Sequence, residues 1–168
     1  MRKLPEADPG RKVFAGFGDP FFNKEQLARA ESEKATQKMQ IASLDKKLSV
    51  RGIRITRTGN LDGNTISSSH LESLNRLPDT ADEIIGVAEA LNADPARDIF
   101  LGPNASEHKV KTMDLSDRRI IAFATHALLP GDLDGLDQPA LAFSSPTVTG
   151  SNEDGLLTVE EILKIKLN

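Results

Sequence analysis

The sequence predicts an α/β fold whose mainly parallel sheet carries helices on both faces. Three short apolar runs without polar alternation, at residues 12–17, 98–102 and 119–125, have the pattern of strands buried on both faces. Helical patterns fill the segments before and between the last two runs, and a strand, helix, strand, helix, strand order favours right-handed crossovers and a parallel sheet. A chain of 168 residues is long enough for one domain with a core, and we expect one.

The first strand lies close to the N-terminus. Residues 1–10 are polar, contain two prolines and are predicted to be a tail. The strand at 12–17 ends at Gly18-Asp19-Pro20. Although Gly16 and Gly18 are suggestive of a phosphate-binding loop, no third glycine and no Lys-Ser/Thr pair follows, so we do not predict nucleotide binding.

A charged segment at about 23–69 separates this strand from the rest of the predicted domain. It is rich in Lys, Glu, Gln and Ala up to residue 48, which predicts one or two surface helices or a partly disordered stretch. Alternation at 51–58 favours a short half-buried strand, and the polar run 59–69 favours a surface loop. We interpret the whole segment as a helical or mobile insertion.

The second half of the chain contains the remaining predicted elements. Thr80 followed by Glu83 predicts a capping box, and therefore a helix over about 81–91. Thr158 followed by Glu161 predicts the same cap for the last helix. The other predicted elements are the strand at 98–102, a helix opening at about 104–108, the strand at 119–125 and an extended arm at 138–145.

Composition excludes several classes of function. The formal net charge is −4, and the chain has no Trp and no Tyr, so neither a basic surface nor an aromatic platform for nucleic acid is predicted. No apolar run approaches the length of a membrane span, and the N-terminus has no apolar signal segment. With no Cys, the chain has neither disulfides nor thiolate metal ligands. We expect a cytoplasmic protein with no nucleic-acid partner, no membrane association and no cofactor or metal.

The strand at 119–125 ends in the most informative pair of residues, Thr125-His126. A histidine at the carboxyl end of a parallel strand lies where α/β sheets bind ligands, so His126 is the candidate catalytic residue. His70 and His108 have no comparable context and are predicted to lie on the surface. The acidic loop 132–137 lacks the order of a calcium-binding loop, and we interpret it as a solvated loop.

Several separate blocks of the sequence resemble the CHAT domain, a caspase-like family in the clan of cysteine peptidases that includes caspases, separase and gingipains. The resemblance covers about 11–22 and 74–168 and thus makes 11–168 a partial CHAT domain around the insertion. The blocks that carry it are residues 77–80, 100–106, 121–128, 138–141 and 154–162.

The resemblance implies a caspase-like three-layer sandwich and a His/Cys dyad, in which His126 matches the family's histidine. The family's Cys ends a strand that follows the last helix here, and no Cys is present in this chain. A thiolate is the attacking species in such a dyad. We therefore expect a fragment of a cysteine endopeptidase that is inactive as the isolated chain. The alternative is a non-catalytic regulatory or protein-interaction module on a peptidase fold.

Three further expectations concern the backbone, the partners and the sheet. Ala127 stands where the family commonly has Gly, which would impair an oxyanion donor if this position required a positive φ. The expected partners are a protein or peptide substrate and other domains of the parent protein; the substrate-binding residues remain unknown. Without the strand that carries the Cys, the strand at 119–125 would lie at an open edge of the sheet, which predicts self-association.

Overall fold

The computed structural model describes residues 10–44 and 68–167. The predicted strand at 51–58 and nearly all of the predicted tail and polar loop lie outside the described residues. The elements, in chain order, are β1 (Lys12–Gly18), α1 (Lys24–Leu44), α2 (Asp79–Ala90), α3 (Pro95–Asp98), β2 (Ile99–Leu101), α4 (Glu107–Thr112), β3 (Arg118–Ala124), β4 (Ala127–Leu128), β5 (Ala140–Ala142), α5 (Pro146–Thr149), β6 (Leu156–Thr158) and α6 (Val159–Lys164), with short 3₁₀ turns at Ser68–Ser73 and Gly102–Asn104.

A parallel sheet of three strands forms the centre of the domain, in the order β2-β1-β3. Gly18 at the end of β1 is in register with Leu101 of β2 and with Ala124 of β3. The three strands therefore end at one common edge. The predicted α/β fold with a parallel sheet is confirmed.

Helices cover both faces of this sheet, as predicted. On one face, Phe14 of β1 packs with Ile84 and Ala88 of α2. On the other face, Phe17 packs with Val110 of α4, and Ile162 of α6 lies against the same cluster. The ring centroid of Phe17 lies 4.9 Å from that of Phe100 on β2 and 5.5 Å from that of Phe123 on β3. Successive side chains of β1 thus point into two different cores, which explains its continuous apolar sequence.

A second, smaller sheet was not predicted. It consists of β4, β5 and β6 in antiparallel order, and it includes the middle of the predicted extended arm. Its strands contain only two or three residues each, which is too short for an alternating pattern to appear in the sequence. This sheet begins immediately after His126 and therefore fixes the chain on the C-terminal side of that residue.

The start of α2 differs from the prediction, whereas the start of α6 agrees with it. The helix α2 begins at Asp79 with Pro78 at the N-cap position, so the predicted capping box of Thr80 and Glu83 is wrong. The Thr80 hydroxyl instead donates to the Leu77 carbonyl and accepts from the Asp19 amide. At α6, by contrast, Thr158 and Glu161 form both halves of the predicted capping box.

The two glycines of β1 serve helix packing. A Cβ atom at Gly16 would lie 2.6 Å from Cγ2 of Ile84, and one at Gly18 would lie 2.9 Å from the carbonyl oxygen of Thr80. Both contacts are with α2. The glycines therefore allow α2 to approach β1 closely, which accounts for them without a phosphate group.

Candidate active site

The carboxyl ends of β1 and β3 bring Asp19 and His126 to the same edge of the sheet. Because Gly18 is in register with Ala124, the residues that follow the two strands leave the sheet side by side. Asp19 adopts a left-handed backbone conformation, with φ of 47°, and its carbonyl accepts a hydrogen bond from Gly102 N at 3.1 Å. Aspartate tolerates this conformation better than most residues. Backbone in sparsely populated conformations is frequent at functional sites, and the carboxyl edge of a parallel sheet is where α/β proteins bind ligands.

The imidazole of His126 is held by a backbone carbonyl. Its Nε2 atom lies 2.8 Å from the carbonyl oxygen of Asn75, in the segment that precedes α2. A carbonyl oxygen can only accept a hydrogen bond, so Nε2 must carry the proton. In the neutral ring the Nδ1 atom is then unprotonated, and it is the nitrogen that is able to accept a proton. This arrangement is the one that a general base requires.

Packing and main-chain bonds restrain the same residue. The His126 ring centroid lies 5.5 Å from that of Phe22, which is fully buried. The His126 carbonyl accepts from the amide of Ala142 on β5 at 2.9 Å, and the hydroxyl of Thr125 donates to the carbonyl of Ala142. His126 is thus fixed from β3, from the antiparallel sheet and from the turn after β1.

A partly buried ion pair lies at this edge, between Asp19 and Arg76. The guanidinium donates to both carboxylate oxygens, from Nε at 2.7 Å and from Nη2 at 2.6 Å. Its Cζ atom lies 4.7 Å from the centroid of the Phe21 ring. The hydrogen bond with Asp19 raises the pKa of Arg76, although burial of the guanidinium opposes this effect. Arg76 directly follows Asn75, whose carbonyl binds His126.

Ala127 does not require a positive φ. It lies in β4 opposite Leu141, and within the described part of the chain only Asp19 and Asn92 among the non-glycine residues have a positive φ. The expected steric cost of Ala in place of Gly therefore does not arise in this conformation.

A separate group of acidic residues surrounds Lys111 on α4. Its Nζ atom lies 2.5 Å from Glu107, 2.7 Å from Glu153 and 2.6 Å from Glu161. These three carboxylates lie close enough together to bind a metal ion, but the ammonium group already occupies the position between them. Burial raises the pKa of Glu107 to about 7, against the opposing effects of Lys111 and the Gly155 amide. We interpret this group as a structural ion-pair cluster.

The sequence of the chain also matches a known protein family. The sequence profile of the CHAT domain matches residues 5–168. The chain belongs to the CHAT domain family. This family is caspase-like and related to peptidases, and the predicted resemblance is confirmed. No curated protein and no solved structure matches the chain significantly. Within residues 10–44 and 68–167, none of the helices has both the length and the apolar character needed to cross a membrane.

The structure adds residues to the candidate site that the sequence did not indicate. The Asn75 carbonyl belongs to the main chain, so the type of residue at position 75 gives no indication of its hydrogen bond to His126. Asp19 and Arg76 are 57 positions apart, and nothing in their local sequences links them. Only Asp19 had a usable signal, because it directly follows a buried parallel strand, as Thr125-His126 does.

Proposed function

We propose that this CHAT domain supplies the catalytic histidine, His126, of a caspase-like cysteine endopeptidase. The supporting observation is the hydrogen bond from Nε2 to the Asn75 carbonyl, which leaves Nδ1 as the proton acceptor. The nucleophile must come from outside the 168 residues, because these contain no Cys. The substrate is a protein or peptide, and the site of action is the cytoplasm.

The step assigned to His126 is removal of the thiol proton. An unperturbed thiol has a pKa of about 8.5 and is mostly protonated at neutral pH. Transfer of its proton to Nδ1 generates a thiolate and an imidazolium ring. The thiolate then attacks the peptide carbonyl. The imidazolium keeps its hydrogen bond to the Asn75 carbonyl and can return the Nδ1 proton to the leaving amine.

The open side of β3 is the place where we propose that a fourth strand binds. Within the described residues β3 pairs with β1 only, and Ile120 of β3 is 42% exposed. An edge strand presents a row of unpaired backbone N–H and C=O groups to which another strand can pair. In the parent protein the strand that bears the Cys would bind here. In the isolated chain the same edge would bind a second copy.

The first experiment measures peptide hydrolysis by the isolated chain. Incubation with a library of fluorogenic peptides is expected to give no turnover above buffer. Turnover that disappears in the His126→Ala variant but persists in His108→Ala would overturn the proposed need for an external thiol. His108 is a suitable control because it is an exposed histidine on α4.

The second experiment measures the candidate thiol in the parent protein. The rate of alkylation by iodoacetamide as a function of pH reports the pKa of the Cys that follows this domain. We expect a value well below 8.5, returning to about 8.5 in His126→Ala and unchanged in His108→Ala. A pH profile that does not depend on His126 would contradict the dyad.

The alternative function is a non-catalytic interaction module on the same fold. The observation that favours it is the lack of Cys in the sequence. A parent protein without a Cys-bearing strand downstream would support this alternative, and one with such a strand would support the peptidase.

A further inference from the structure

The segment that carries the Asn75 carbonyl has no place in either sheet, so other contacts must fix its position. Its backbone is tied by amide side chains to the turn after β1 and to the first turn of α1. Nε2 of Gln26 donates to the Leu74 carbonyl at 2.7 Å, and Nδ2 of Asn23 donates to the Glu72 carbonyl at 2.6 Å. These bonds hold the segment on the N-terminal side of Asn75.

On the C-terminal side of Asn75, the contact is the ion pair of Arg76 with Asp19. The side chain of Asp19 is 6% exposed, and that of Arg76 is 22% exposed. Two parallel hydrogen bonds between a guanidinium and a carboxylate fix the relative orientation of both groups, which a single bond does not. Asp19 is itself anchored, because its amide donates to the Thr80 hydroxyl at 2.8 Å.

The ion pair therefore connects the end of β1 to the residue next to the His126 acceptor. A shift of the 74–77 segment away from β1 would move the Asn75 carbonyl away from Nε2. Once that bond is lost, nothing else described at the ring distinguishes Nε2 from Nδ1: the contact with Phe22 is an aromatic one.

We propose that Arg76, held by Asp19, is a positioning residue that keeps the Asn75 carbonyl on His126 and so maintains the proton on Nε2. The ion pair acts through the backbone and does not touch the reacting atoms. A role of Arg76 in catalysis rests on the proposed function of His126. The effect of Arg76 on the position of the His126 proton does not depend on that function and can be measured in this chain alone.

The test measures the protonation of the three histidine rings by long-range proton–nitrogen NMR correlation at a pH where they are neutral. In the unaltered chain, we expect His126 to show a stronger preference for the Nε2-protonated form than exposed His108. In Asp19→Asn, the ratio of the two neutral forms of His126 should fall by about tenfold, towards that of His108. His108 serves as an internal reference in every spectrum.

The matched control is Asp98→Asn, which alters a second aspartate–arginine pair, at the amino end of the parallel sheet. The side chain of Asp98 is 8% exposed, and it pairs with Arg118, the first residue of β3. This variant should leave the His126 ratio unchanged. An equal change in both variants would mean that general loosening of the fold is responsible, and no change in Asp19→Asn would mean that the pair has no positioning role. Either result overturns the proposal.

A second pair of variants covers the case in which an Asp→Asn protein does not fold. Arg76→Lys and Arg118→Lys both keep the positive charge but lose the two-point geometry of the guanidinium. We expect Arg76→Lys to lower the His126 ratio and Arg118→Lys to leave it unchanged; the opposite pattern overturns the proposal. No peptidase activity is measured here, so a failure of the proposed catalytic role would be seen only in the alkylation experiment.

Discussion

The amino and carboxyl ends of the parallel sheet each contain a buried aspartate paired with an arginine, but the two pairs are built from different parts of the chain. At the amino end, Asp98 precedes β2 and Arg118 begins β3, and Arg118 also donates to the Phe14 carbonyl of β1 at 2.7 Å. That pair joins three strands to one another. At the carboxyl end, Asp19 binds Arg76, which belongs to a segment outside the sheet.

The backbone is also less regular at the carboxyl end of the sheet than at the amino end. The carboxyl end has positive φ values at Asp19 and at Gly102, whereas Asp98 and Arg118 lie in regular helix and strand. The amino end is therefore organised for stability. At the carboxyl end the ion pair holds an irregular segment, and that segment carries the acceptor for His126. In this CHAT domain, two similar aspartate–arginine pairs thus have different roles: one joins strands of the sheet, and the other holds the segment that carries the acceptor for His126.

The largest expected effect is a difference in stability between the two aspartate variants. Asp98→Asn removes the main carboxylate partner of Arg118, whose side chain is only 6% exposed, and leaves Asp117 at 3.1 Å from its Nε; we expect the free energy of unfolding to fall by about 3–4 kcal/mol. Asp19→Asn leaves a more exposed Arg76, which also lies 3.6 Å from Glu33, so we expect about 1–3 kcal/mol.

Urea unfolding followed by circular dichroism measures both values. If Asp19→Asn were the more destabilising substitution, the carboxyl-end pair would be the main structural one, and the distinction between the two ends would be wrong.

A smaller effect should come from Glu107, a buried carboxyl at the start of α4 that belongs to neither ion pair. Burial raises its pKa to about 7 from an ordinary value of 4.5, with Lys111 and the Gly155 amide opposing the rise and Asp154 adding to it. The folded protein then binds this proton more tightly than the unfolded chain. Stability from this group is fully present below about pH 4.5 and is lost as the pH rises through about 7.

We therefore expect the free energy of unfolding to decrease by about 3 kcal/mol at most between pH 5 and 8, because of this group. In Glu107→Gln the decrease should disappear, and thermal unfolding over this pH range measures it. Glu160→Gln is the control, because Glu160 is an exposed residue on α6 with a lowered pKa. The same pH dependence in Glu107→Gln and in the unaltered chain would assign the effect to another group.

The smallest expected effect concerns the open side of β3. We expect the isolated chain to self-associate through this edge, and Ile120→Lys to weaken the association by about tenfold, because a charged side chain on an edge strand disfavours pairing. Sedimentation equilibrium gives the association constants. Leu129→Lys is the control, since Leu129 is 63% exposed but lies outside β3. A chain that stays monomeric at high concentration, or equal weakening by both substitutions, would exclude β3 as the interface.

Sequence patterns predicted the parts of the fold that depend on local physics. The apolar runs of β1 and β3 were visible because strands buried on both faces need continuous apolar residues. The cap of α6 was visible because Thr158 and Glu161, three positions apart, each accept a hydrogen bond from the other's backbone amide. The same pattern failed at Thr80, whose hydroxyl binds Asp19 from a distant strand end. Long-range contacts of this kind have no local signature.

The residues of the candidate site likewise fall into those with a local sequence signal and those that only long-range contacts bring together. His126 could be predicted, because a polar residue that ends a buried strand is a local feature. Its acceptor could not, because a carbonyl oxygen is present at every residue and only the folded chain determines which one reaches Nε2. The pairing of Asp19 with Arg76 likewise depends on how the segment before α2 lies against the turn after β1.

Because the Asn75 carbonyl accepts a hydrogen bond from Nε2 of His126, we expect the proton of the neutral ring on Nε2 and Nδ1 free to act as the base. The most direct measurement is the proton–nitrogen NMR correlation of the His126 ring in the unaltered chain, with exposed His108 in the same spectrum as reference. We expect a neutral His126 ring that is protonated on Nε2 to a clearly greater extent than that of His108. A His126 ring protonated mainly on Nδ1, or one indistinguishable from His108, would contradict it.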